Sequence, residues 1–287
     1  MAAGAASAGL DEAVRARIAG FPGAVFLYAR NLDTGETFGI RESEPVPTAS
    51  TIKLPIMLAV FDAVARGKAS WDEQLTLRPA DKVSGSGVLG TEFSDGVKLP
   101  LQDVVHLMIV LSDNTATNMI LERFTADTVN AALDRLGIPA TRSLRKVRGD
   151  GTELKSPQGW SAAGKLPENQ KYGIGVSTPR DMVAILEKLA RGQAVSADAS
   201  KEMIAILRRC QDDTGIRRRL RETTIANKTG ALDHLRSEVA LVYSKGGLIA
   251  TAITVEGIPE IDYGPDNPGS LMLADLGEAL VKGLAKR

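Results

Sequence analysis

Apolar positions along the chain change period twice, and the changes mark its organisation. Leu10, Val14 and Ile18 recur at four-residue spacing, which predicts an amphipathic helix over 11–20 ended by Gly20. Two β-rich runs, 24–28 and 36–40, flank Asn31-Leu-Asp-Thr-Gly35 and predict a hairpin with a glycine-containing turn. The segment 51–66 is apolar over most of its length and closes on Gly67, the pattern of a helix with a C-terminal glycine. From about 70 to 220 the period is helical wherever there is one, near 101–111, 115–123, 127–136, 179–190 and 198–209, with loops between. After 223 it becomes β-rich again, in 225–228, 237–243 and 248–255, punctuated by Lys245-Gly-Gly247. An amphipathic helix over 269–285 closes the chain.

Strands at both ends and helices in the middle predict an α+β fold, an α/β sandwich. One antiparallel sheet is built from the two chain ends and flanked by helices, with an all-helical domain inserted. The expected division is 1–67 with 216–287 for the sheet domain and 68–215 for the helical domain. A site belongs at the seam between them. No internal repeat or low-complexity linker interrupts this plan.

Composition narrows the chemistry. The 287 residues carry 35 Lys+Arg against 35 Asp+Glu, so no basic excess points to nucleic acid. Cys210 has no second cysteine to pair with, and His106 and His234 are too few for a His/Cys zinc site; no metal and no cofactor are expected. They also leave no obvious imidazole base, so proton transfer in any acyl chemistry falls to another side chain. No apolar run reaches the roughly 18 residues of a membrane span. The first ten residues lack a basic stretch followed by an apolar one, so they do not read as a signal peptide.

Three short strings then carry chemistry. Ser50-Thr51-Ile52-Lys53 is a Ser-x-x-Lys, and on a helix positions i and i+3 share a face, so hydroxyl and amine can meet. A lysine that is desolvated or near another cation can lose its proton readily enough to accept one from serine. Alone the string is weak: Ser143-Leu-Arg-Lys146 is a second copy, and a capping serine with a solvated lysine explains either. Ser112-Asp113-Asn114 interrupts two helical segments, where any of the three is also a good helix cap. Asn227-Lys228-Thr229-Gly230 ends a β-rich run, where a cation, a hydroxyl and backbone N–H groups can face a substrate carboxylate, or an ordinary strand simply turns.

Taken in order the three form a set found in penicillin-recognising enzymes. The chain resembles the serine β-lactamase and penicillin-binding-protein superfamily, most closely class A, from about residue 20 to 285. The likeness includes Pro47-Thr-Ala-Ser-Thr-Ile-Lys-Leu-Pro55, Leu111-Ser-Asp-Asn-Thr-Ala-Thr-Asn118, Ser177-Thr-Pro-Arg-Asp-Met182 and Asn227-Lys-Thr-Gly-Ala231. The resemblance implies that Ser50 is the acylated nucleophile and Lys53 its proton acceptor, directly or through water. It implies that Ser112 relays a proton to the leaving nitrogen under the charge of Lys228, and that Asn114 holds the substrate's side-chain amide. Lys228 and Thr229 would meet the substrate carboxylate, and the N–H groups of Ser50 and Ala231 would form an oxyanion hole. Arg236 stands near where class A enzymes place a carboxylate-binding arginine; a surface ion pair with a residue such as Glu238 is the alternative.

The pattern breaks at deacylation. Class A enzymes use a glutamate in a Glu-x-x-Leu-Asn context, and no such string occurs in 141–178. Asp150, Glu153 and Glu168 are the candidate carboxylates, on a segment about ten residues longer than the usual loop and rich in Gly, Pro and Lys. Gly159-Trp-Ser-Ala-Ala-Gly-Lys-Leu166 in the same region nearly matches a phosphate-binding loop, but Leu166 replaces the Mg²⁺-binding hydroxyl and no strand precedes it. The expected activity is therefore opening of β-lactam rings through an acyl-enzyme on Ser50, with slow deacylation if no carboxylate reaches the ester. A D,D-peptidase or esterase-like hydrolase on the same scaffold, or a penicillin-binding protein that acylates without turnover, are the alternatives. The expected partner is a small β-lactam or peptidoglycan-like molecule, with no nucleic acid, and the chain is expected to be a monomer. The family implies a periplasmic or secreted location.

Overall fold

The computed structural model describes residues 2–148 and 159–285. Helix α1 (Ala2–Ile18) precedes the hairpin of β1 (Ala24–Asn31) and β2 (Thr37–Ile40). A short strand β3 (Val46–Pro47) and a 3₁₀ turn (Ala49–Ile52) lead into α2 (Lys53–Ala65). The middle of the chain holds the strand pair β4 (Gln74–Thr76) and β5 (Lys98–Pro100), then α3 (Leu101–Val110), α4 (Asn114–Phe124) and α5 (Ala126–Arg135). It continues with β6 (Arg142–Ser143), β7 (Gly175–Ser177), α6 (Pro179–Ala190) and α7 (Ala197–Arg208). Strands β8 (Thr224–Leu232), β9 (Leu235–Ser244) and β10 (Gly247–Glu256) and helix α8 (Pro268–Leu284) complete it.

The two chain ends build one five-stranded antiparallel sheet in the order β2-β1-β10-β9-β8, as the change of period predicts. Period-two alternation divides its side chains between two apolar layers. Val25, Leu27, Val242, Ile249 and Ile253 face α1 and α8, with Val14, Leu276 and Leu280 among their neighbours. Tyr28, Val239, Leu241, Ala250 and Ala252 face the layer that contains α2. Leu54 to Phe61 of α2 are all buried, so this helix is apolar on every side because it is surrounded. Each such Leu or Ile removed from water contributes roughly 1.5–3 kcal/mol. Buried Asn31 fastens the hairpin turn to the last helix: its amide donates to the Leu284 carbonyl (2.7 Å) and its oxygen accepts from the Asp33 amide (3.0 Å).

Three local differences from the sequence reading matter for the site. The helix expected from residue 51 begins at Lys53, because a 3₁₀ turn opens it. The strand expected over 225–228 runs on through Lys228, Thr229 and Gly230 to Leu232. The middle of the chain, read as helices and loops, also contains β4 with β5 and β3 with β6 and β7; strands of two or three residues are too short to show alternation.

Candidate active site

Strand β8 is the edge of the sheet, and its open side lies against the Ala49–Ile52 turn. Gly230 is where the two backbones meet. A Cβ there would fall 2.9 Å from the Ser50 nitrogen and from the Thr48 carbonyl, so only glycine lets the strand approach this closely. The turn is fixed from its other side by the Thr48 amide, which donates to the Gly175 carbonyl of β7 (3.0 Å). Thr51 adds a hydroxyl bond to the Thr48 carbonyl (2.8 Å), and Ala49 is forced to a φ of 48°. An alanine in the left-handed region costs energy, and here it sits directly before Ser50.

Lys53, one turn on, is fully buried and reaches across to the start of α4. Its Nζ donates to the Ser112 carbonyl (2.6 Å), to Ser112 Oγ (3.2 Å) and to Asn114 Oδ1 (2.8 Å). Burial pushes its pKa well below the usual lysine value, the nearby Lys228 ammonium pushes the same way, and Asp113 only partly opposes them. The Ser112-Asp113-Asn114 string divides its labour. Asp113 is the helix cap, accepting from the Ala116 amide at 2.8 Å, while Ser112, at φ 54°, and Asn114 turn toward Lys53. The other oxygen of Asp113 accepts from the Val88 and Leu89 amides (2.7 and 2.9 Å), which draws a Ser84–Leu89 loop over the string. Gly87 belongs to that loop at φ 109°, and a Cβ there would collide with Asp113 at 2.2 Å. Asn114 is bound to the same loop through the carbonyls of Ser86 (2.9 Å) and Ser84 (3.2 Å).

Lys228 on β8 is also fully buried, and its Nζ donates to the Thr229 carbonyl at 2.8 Å. Burial lowers its pKa, opposed by Cys210, Asp212 and Glu238. The sequence does not single out Asp212, and only the fold brings it beside Thr229. Desolvation pushes its carboxyl up. The Thr214 amide and hydroxyl (3.1 and 2.8 Å), the Thr229 hydroxyl and the Lys228 charge outweigh this and hold it below the ordinary carboxylate range.

Ser50, Ser112, Asn114, Thr229 and Ala231 line one cleft of about 570 Å³, with Lys53 and Lys228 beneath it. Arg236 is not brought to its wall. The Arg236 guanidinium is spent on the Leu232 and Leu235 carbonyls (2.6 and 2.7 Å) and the Asp262 carbonyl, and stacks 5.0 Å from the Tyr263 ring. Nor does it pair with Glu238, which accepts from the Asn227 amide (2.6 Å) and the Ile216 amide (2.8 Å). Glu168 lies in a different cavity, of about 480 Å³, with Arg142 and Tyr172. Asp150 and Glu153 fall outside the described residues. Among the described residues, the carboxylate lining the Ser50 cleft is Asp212. On the α4 wall stands Val147, held by a two-way bond to Asn118, whose amide donates to the Val147 carbonyl (3.0 Å) and whose oxygen accepts from the Val147 amide (2.8 Å).

The second Ser-x-x-Lys is structural. Lys146 is buried in an ion pair with Glu122 and lies 3.8 Å from Asp81. The phosphate-loop look-alike has its own local reason, since Gly164 packs where a Cβ would meet the Leu144 carbonyl at 2.0 Å.

Known proteins share this architecture. The family description "Beta-lactamase enzyme family" matches residues 9–284. A β-lactamase structure from Sphaerobacter thermophilus DSM 20745 superposes with a TM-score of 0.81 at 30% identity, covering 96% of this chain and 97% of that one. A point mutant of PBP-A, an acyl-enzyme complex with penicillin G, superposes with a TM-score of 0.78 at 26% identity, covering 95% and 94%. Beta-lactamase regulatory protein BlaB of Streptomyces cacaoi is 26% identical over 289 residues, 90% of this chain and 89% of that protein.

Proposed function

The chain belongs to the beta-lactamase enzyme family, and from that premise we propose that it is a serine hydrolase whose Ser50 is acylated by β-lactams and deacylated slowly. Buried Lys53 carries this reading: it lies one helical turn after Ser50 and is hydrogen-bonded to Ser112 and Asn114. In its neutral form Lys53 takes the Ser50 proton as Oγ attacks the lactam carbonyl. The oxyanion forms against the N–H groups of Ser50 and Ala231, where one such donor is typically worth on the order of 10²–10³ in rate. The ring C–N bond then breaks, the nitrogen receives a proton through Ser112, and the acyl group remains as an ester on Ser50. Lys228 and Thr229 face the substrate carboxylate, and Asn114 holds the acyl amide.

Slow deacylation is supported by what lines the cleft. In a class A-like site a carboxylate activates the water that hydrolyses the ester; among the described residues Val147 occupies the α4 wall and Glu168 lies in another cavity. Asp212 is already engaged with Thr214 and Thr229. A point mutant of one neighbour is known as its penicillin G acyl-enzyme, which agrees with acylation of Ser50. The two-part chain organisation, with the cleft at the seam, a monomeric state and a location outside the cytoplasm belong to the same proposal.

A time course with a chromogenic cephalosporin, paired with intact-mass spectrometry, tests it. The expected result is a mass adduct that Ser50→Ala abolishes, with a burst of colour and little turnover afterwards. Rapid sustained turnover dependent on Ser50 overturns slow deacylation. The absence of any adduct or turnover overturns the hydrolase reading, and activity confined to D-Ala-D-Ala peptides or simple esters replaces it with the peptidase or esterase alternative.

A further inference from the structure

Two arginines line the Ser50 cleft without a carboxylate partner among the described residues. Arg145 and Arg148 flank Val147, which Asn118 fastens to α4, the helix that opens with Asn114. They therefore stand on the α4 side of the cleft that Thr229 and Asp212 also line. Both guanidiniums pack on one ring, 5.7 and 5.2 Å from the centroid of Trp160, whose backbone is bridged to Arg145. Arg145 gives one bond to the Lys146 carbonyl (3.0 Å), and Arg148 Nε is buried with no hydrogen-bond partner among the described residues. Burial and the neighbouring Arg148 charge push Arg145 down to about 10.

This arrangement is unfavourable unless something answers it. Two like charges are held close beside one aromatic ring in a half-buried place, and among the described residues a buried donor is left without an acceptor; leaving such a group unpaired is costly. Arg30 also has a buried Nε without an acceptor among the described residues, but its Nη1 is paired with Glu187 at 3.0 Å. Arg217 is bound to Asn227 and to two carbonyls. A planar carboxylate is the ligand whose geometry matches guanidinium donors.

We infer that Arg145 and Arg148 form an anion subsite on the α4 wall, which takes a carboxylate carried by the side chain of the substrate's acyl part. The inference rests on the reading of Ser50 as the acylated serine, because that reading places the acyl side chain along the Asn114 wall. It assigns the substrate a second negative charge, separate from the carboxylate that Lys228 and Thr229 meet.

Benzylpenicillin and its α-carboxy derivative differ by that one group, and the carboxylate on their fused ring system cancels in the comparison. We expect the α-carboxy compound to acylate Ser50 about tenfold faster at low ionic strength, the scale of one charge-assisted bond. Added salt should shrink the ratio. In Arg145→Gln/Arg148→Gln it should fall to about one or below. Arg148→Gln alone, the milder change, should give an intermediate ratio. An unchanged ratio in a folded variant overturns the subsite while leaving the hydrolase reading intact. If neither penicillin acylates Ser50, the hydrolase reading has failed, and calorimetric binding of phenylmalonate against phenylacetate decides the subsite alone. Tighter phenylmalonate binding that is lost in the variants supports it, and no preference, or one the variants keep, rejects it.

Discussion

Lys53 shows how a residue's chemistry is made by its surroundings. A lysine in water is a poor base at neutral pH; the same side chain, removed from water and set near a second buried lysine, gives up its proton more readily. Lys53→Ala should slow acylation by roughly 10²–10⁴-fold, the usual worth of a positioned proton acceptor. Lys53→Met, which keeps the volume, should do the same while far-UV circular dichroism stays unchanged. Normal acylation in either variant would remove Lys53 from the proton path. Ser50, Lys53, Ser112, Asn114, Lys228 and Thr229 are all legible in the sequence, because the three short strings have fixed spacing. Asp212, Arg145, Arg148 and Val147 are not: an aspartate near the end of a helix or an arginine after a short strand looks solvated until its neighbours are known. Arg236 misleads for the same reason. Its place along β9 suggests the cleft, but its side chain satisfies carbonyls and stacks on Tyr263.

At the scale of elements, the decisive contact is edge strand to helix start. Gly230 is where β8 passes the Ala49–Ile52 turn, and backbone atoms there cannot step aside as a flexible side chain can. Gly230→Ala should push the strand off the turn, costing about 1–3 kcal/mol of stability as an overpacked site. Displacement of Ser50 from Thr229 by even an ångström should slow acylation by about 100-fold. Thermal unfolding and the adduct-formation rate measure the two effects separately, and a variant with native rates would show that the close approach has no part in positioning Ser50. The sequence marks this glycine as the end of the Asn227–Gly230 string or as a turn, and does not show the close approach that requires it. It also finds the longer strands and helices, whose periods persist, but not all of their ends: α1 starts at Ala2, α2 at Lys53, and β8 runs on to Leu232. The 3₁₀ turn before α2 and the Ser84–Leu89 loop have no period to detect, and both are held by contacts with distant segments.

For the whole molecule, formal neutrality hides an uneven interior. Lys53 and Lys228 are buried under one end of the cleft, and Glu238 is buried behind β8, paired in register with Thr229. Burial raises the Glu238 carboxyl to about 7; the Ile216 and Asn227 bonds oppose this, Asp212 adds to it and Arg217 counters it. Its folded pKa lies above its unfolded value, so the folded chain keeps a proton that the unfolded chain releases. Stability from this group is fully present below about pH 4.5 and is lost as pH rises through about 7, by up to ~3 kcal/mol at 1.36 kcal/mol per pKa unit. Denaturant unfolding at pH 5 and pH 8 should show this loss in the native chain and not in Glu238→Gln, whatever the variant's absolute stability; equal slopes would place the Glu238 carboxyl near its ordinary value. The sequence by itself determined the α+β class, the sheet shared by the chain ends and the order of the three strings, because hydrophobic period and motif spacing are local properties of a chain. Only the tertiary structure decided which charges face the cleft, that Arg236 turns away and Glu168 lies elsewhere, and that Asp212 and the Arg145–Arg148 pair line the same cleft. Burial and electrostatic pairing depend on segments far apart in the chain, and no local pattern encodes where such segments meet.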